Sequence, residues 1–75
     1  MRKLKYEDAK VSIVVMTLKK EGIPARLEPY SILIPLTTGI SKSTVVKILQ
    51  GLRLSPLMYQ VDEDTKEIQI FDTRL

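Results

Sequence analysis

The sequence predicts a small α+β domain, three helices followed by a C-terminal β-hairpin. Three patterns carry that reading. Val45, Ile48, Leu49 and Leu52 recur at i, i+3, i+4 and i+7, the spacing of one helical stripe. Val11, Val14, Val15 and Leu18 form a second stripe of the same kind. Residues 57–61 and 68–71 instead alternate with period two around a polar segment, 62–67, as two strands joined by a turn do.

Taken in order, residues 1–5 are a basic lead-in with the character of a flexible arm, and residues 6–21 are expected to form the first helix. Glu7 and Asp8 stand near its positive N-terminus, and Lys19 and Lys20 near its negative end. Gly22 supplies the stop and Pro24 prevents continuation. Ile13 and Met16 lie off the main stripe, which leaves apolar surface for a second subunit or the rest of the monomer to cover. Residues 23–29 connect, with Ala25, Arg26 and Leu27 able to pair as a short strand with the later hairpin. Residues 30–38 are expected to be the second helix, with Ile32, Leu33 and Leu36 facing inward. Pro35 opposes this, since an internal proline removes a hydrogen bond and clashes with the preceding turn. That helix therefore starts late or bends, or residues 30–34 are extended. The third helix spans 41–53, with Gly39 at the turn before it and Ser41 as its N-cap. The hairpin occupies 57–72.

Composition narrows the function. Residues 1–75 make one domain; 44% of them are apolar and 28% charged, and only four are aromatic, so the core is aliphatic. Neither cysteine nor histidine is present. Disulfides, Ser-His and Cys-His nucleophile pairs and the usual zinc sets are thereby excluded, and nothing supports an enzyme or a bound cofactor. A reducing, cytoplasmic setting is the expectation. The apolar runs are too short to cross a bilayer, and the basic start lacks the apolar stretch of a secretory signal. The acids Asp62, Glu63, Asp64 and Glu67 lack the glycine and terminal glutamate of a calcium loop, and read as a solvated hairpin tip. Residues 1–53 hold ten Lys/Arg against four Asp/Glu, whereas residues 54–75 hold two against five. That asymmetry points to an anionic partner for the basic part.

The third helix carries the sharpest signal. Its polar side shows Lys42, Ser43, Val46, Lys47 and Gln50, with no acid among them. Lysine pairs with phosphates or guanine edges, glutamine bridges adenine, and a valine methyl can meet a thymine methyl. The run T-G-I-S-K-S-T-V-V-K-I-L resembles the turn and recognition helix of helix-turn-helix proteins, particularly small winged-helix regulators of bacteria, archaea and their viruses. Gly39, Ile40, Ser41, Thr44, Val45 and Ile48 occupy the places of that motif, which covers about a fifth of the chain. Pro35 stands where the family has a small residue. The resemblance implies a winged helix-turn-helix fold, with the motif at 30–53 and the hairpin as wing.

It further implies sequence-specific binding of double-stranded DNA by a small transcriptional regulator, acting as a homodimer. The helix at 41–53 would lie in the major groove. Lys42, Lys47 and Gln50 would make the principal contacts, with Val46 beside them. Ser41, Ser43 and Thr44 would meet phosphates or base edges. An acidic hairpin tip does not suit a wing that grips phosphates. From it comes the alternative, a winged-helix module that binds another protein within a larger assembly.

Overall fold

Asp8 opens the first helix: its carboxylate accepts the N–H groups of Lys10 and Val11, satisfying donors that the first turn leaves without partners. The computed structural model describes residues 2–74 and runs α1 (Ala9–Lys20), β1 (Arg26–Leu27), β2 (Ile32–Pro35), α2 (Lys42–Gly51), β3 (Leu57–Asp62) and β4 (Glu67–Asp72). Its two helices stand against a four-stranded antiparallel sheet of order β1-β2-β4-β3. The elements repeat as helix–hairpin, helix–hairpin, although no repeat is visible in the sequence. β2 and β4 join the two hairpins at the centre of the sheet.

The three-helix winged architecture expected from the sequence is therefore corrected. Residues 30–38 contain no helix; Ile32–Pro35 is a strand, and the chain has two helices among its described residues. Pro35 fits there because of the direction in which its nitrogen points. Leu36 N–H donates to the Lys66 carbonyl at 2.9 Å, so Leu36, Ile34 and Ile32 turn their backbone groups toward β4. Pro35 turns its nitrogen to the other side, past the end of the short β1, where no ladder bond is lost. Leu33, expected to face inward, points to the opposite side from Ile32 and Ile34. The C-terminal hairpin is not an appended wing but half of the central sheet. β1 pairs with β2 rather than with that hairpin. Gly39 does take the left-handed conformation, with φ of 91°, but it turns the chain out of a strand and not out of a helix.

The core lies between the helices and one face of the sheet. Val11, Val14, Val15 and Leu18 of α1 and Val45 and Leu49 of α2 pack with Ile32, Ile34, Leu57, Ile68 and Ile70. One cluster holds both stripes and only one phase of the strand alternation, so both helices lie on the same face. Fully burying an aliphatic side chain of this kind is worth about 1.5–3 kcal/mol. α1 begins three residues later than the expected 6, and α2 ends two residues before 53.

The start of the chain is tied down rather than free. Arg2 N–H donates to the Asp72 carbonyl and Leu4 N–H to that of Pro29, with Leu4 buried. Met1, part of the expected arm, lies outside the described residues, as does Leu75 at the other limit of the expected domain. At the edge of the core, Asp72 is the one charged residue buried among those described, at 1% exposure. Arg74 holds it through Nη2 at 2.8 Å and Nε at 3.1 Å, and its backbone N–H adds a bond of 3.0 Å. The Arg74 hydrogen bonds depress the Asp72 carboxyl to about 2, against the opposing effect of burial.

Candidate nucleic-acid interface

Once Val45 and Leu49 are committed to the core, helical geometry decides what α2 shows to solvent. Lys42, Ser43, Thr44, Lys47 and Gln50 are exposed, and so is Ser41 just before the helix. Ser43, Lys47 and Gln50 follow at i, i+4 and i+7, which aligns them along one strip. Val46 is different: it is half-buried and packs against the core, so it offers only part of its side chain to any ligand. Ile48 and Leu52 are likewise half-buried on the inward side.

Two contacts change what these groups can do. Ser41 occupies the N-cap position but makes no side-chain cap; its Oγ lies 2.8 Å from Ser43 Oγ. The first-turn N–H groups of α2 are thus not capped by that hydroxyl. Lys42 Nζ donates to Glu63 Oε1 at 2.9 Å, linking the helix start to the hairpin tip. Both partners are well exposed, and a surface pair of this sort contributes only ~0–1 kcal/mol. Lys47 has no carboxylate partner among the described residues.

Other cations join α2 on the helical side. Lys10 Nζ of α1 donates to the Arg53 carbonyl, so the start of α1 meets the end of α2. Lys19 and Lys20 are exposed at the last turn of α1, and Arg53 is exposed just after α2. At the hairpin tip the Asp62 carboxylate accepts the N–H groups of Asp64 and Thr65. The Thr65 bond chiefly lowers its pKa, and both bonds brace the turn.

The uncovered face of the sheet has another character, which the sequence reading missed. Leu33, Met58 and Phe71 lie there beside Gln60, which pairs across the strands with Gln69. Leu33, Phe71, Gln60 and Gln69 border, with Tyr30, a shallow depression of about 410 Å³. The period-two phase of residues 32–35, had it been chosen over a helical period, would have shown Leu33 on this face. Among the described residues no helix is long and apolar enough to cross a membrane. Comparison with known proteins finds no matching family model, no similar curated protein and no matching solved structure.

Proposed function

We propose that the chain binds double-stranded DNA through the polar face of α2, in the manner of a small regulator. The observation that carries this reading is the exposed Ser43–Lys47–Gln50 strip on a helix without a carboxylate. Lys19 and Lys20 add exposed cations to the same helical layer. A ten-residue helix is about 15 Å long, and the major groove, about 12 Å wide, admits it. Lys47 suits a phosphate and Gln50 an adenine edge. The reading no longer needs a wing, and it gives Lys42 a lesser part, since Glu63 competes with phosphate for its ammonium.

Fluorescence anisotropy on duplex DNA across a salt series tests it. Lys47→Ala should weaken binding and lower the salt slope by about one counterion. Gln50→Ala should cost ~1–3 kcal/mol on a preferred site while non-specific affinity stays nearly constant. Val45→Ala should lower stability and leave contacts to DNA alone. If both polar variants bound duplex as the parent does while folded, α2 would not be the reading element.

A second reading, a module that binds another protein, is favoured by the uncovered sheet face. Leu33, Phe71 and Met58, the last 54% exposed, are apolar groups among amides there. Such docking would depend weakly on salt, which separates it from phosphate binding.

A further inference from the structure

β3 is an edge strand, and the alternation of the ladder shows which of its backbone groups face outward. Lys66, Ile68 and Ile70 turn theirs toward β2, as the bond from Leu36 N–H to Lys66 requires. Glu67, Gln69 and Phe71 consequently serve Asp62, Gln60 and Met58 of β3. Leu57, Tyr59 and Val61 direct their N–H and C=O groups away from the sheet. Leu57 N–H is taken by the Leu54 carbonyl at 2.6 Å. No backbone group among the described residues pairs with those of Tyr59 or Val61. Exposed edges are commonly protected by lysine, proline or a bulge, and the stretch Leu57–Met58–Tyr59–Gln60–Val61 contains neither of those residues and pairs without interruption.

We propose that β3 pairs antiparallel with the β3 of a second copy, about a two-fold axis at Tyr59 perpendicular to the sheet. The two four-stranded sheets then become one. In that register Tyr59 N–H donates to the second copy's Tyr59 carbonyl, and Val61 N–H donates to its Leu57 carbonyl. Both operations are reciprocal, and they spare the Leu57 N–H already in use. Side chains match as well. Leu57 faces Val61 and Tyr59 faces itself on the helical side, covering the half-buried Tyr59 and Val61. A shift by two residues would set Leu57 against Glu63 and Met58 against Asp62. A shift by one would set the outward groups of Tyr59 and Val61 against Gln60 and Met58, whose backbone groups already serve β4. Charge agrees with the Tyr59 register. The acidic tip at Asp62, Glu63 and Asp64 passes beyond Leu57 of the other copy, toward its exposed Arg53 and the Lys10 ammonium on the Arg53 carbonyl. An edge complementary to itself in hydrogen bonds, side chains and charge fits a second copy of this chain. This inference does not rest on DNA binding, and it names a seam other than the exposed Ile13 and Met16 of α1.

The full chain is tested by sedimentation equilibrium and by cross-linking. Val61→Pro removes an N–H that serves no bond within the monomer, at an edge position where proline is tolerated. It should leave the circular dichroism of the fold intact and weaken dimerisation by about tenfold or more. Because the chain has no cysteine, a single one reports on one position. Tyr59→Cys places two sulfurs across the axis, where opposed Cα atoms stand about 5.5 Å apart, within disulfide range. Mild oxidation should convert Y59C to a covalent dimer and leave I13C monomeric. A parent chain that stays monomeric at high concentration overturns the proposal. So does a folded V61P dimer of unchanged affinity, or cross-linking through I13C in place of Y59C. Should V61P fail to fold, the cross-linking pair alone decides.

Discussion

Replacing Ile34 and Leu33 one at a time by alanine sets the strand Ile32–Pro35 against the helix that its apolar spacing also allows. Ile34 is fully buried between α1, α2 and β4, whereas Leu33 is half-buried on the uncovered face. Ile34→Ala removes three carbon groups, worth ~2.4 kcal/mol at ~0.8 kcal/mol each. The cavity left in an aliphatic core brings the cost to about 2–5 kcal/mol. A chain of 75 residues, at ~0.05–0.15 kcal/mol per residue, has a total stability of about 4–11 kcal/mol. Ile34→Ala thus removes a large share of it, and at ~4–8 °C per kcal/mol the Tm falls by roughly 10–40 °C. Leu33→Ala loses only part of a side chain already half in water, about 1 kcal/mol or less. Urea titration and thermal melting followed by circular dichroism measure both. Equal losses, or a larger one for Leu33→Ala, would refute the strand register and restore a helix that points Leu33 inward.

Two further outcomes follow from the charged contacts. The Asp72 carboxyl titrates near 2 in the fold against an ordinary 3.8, so folding favours its charged form. Its contribution is fully present above the unfolded value and is lost as pH falls through the folded one. The stability gap between the parent and Asp72→Asn should therefore be constant above about pH 5 and shrink between about 4 and 2 in denaturant titrations. Arg74 and Arg2, the cations that act on Asp72, stay charged throughout that window, and a gap that grew on acidification would contradict the assignment. Glu63→Gln frees Lys42 from its 2.9 Å partner and takes an acid from the start of α2. Duplex binding should tighten and its salt slope rise by up to about one counterion; unchanged binding would place the start of α2 away from the phosphates.

Which residues bury their side chains in the helices followed from the sequence alone. Val11, Val14, Val15 and Leu18, and Val45 and Leu49, are buried because a 3.6-residue period brings them to one side whatever lies opposite. The hairpin of β3 and β4 was legible because two alternating runs flank one polar turn segment, so that each names the other as its partner. So was the exposed polar side of α2, which is simply what the stripe leaves out. Residues 32–36 were not legible. Ile-Leu-Ile-Pro-Leu is too short for its apolar positions to choose between periods, and Pro35 argued against a helix without naming a partner strand. The pairing of Ile32 and Ile34 with Ile70 and Ile68, more than thirty residues away, made that choice. It also brought β4 of the C-terminal hairpin from the margin of the fold to its centre, left Leu33 and Phe71 half-buried on the uncovered sheet face, and drew Glu63 onto Lys42. Local spacing determines which side of an element is apolar. Only long-range hydrogen bonding, which must satisfy every buried backbone group at once, decides what that side is placed against.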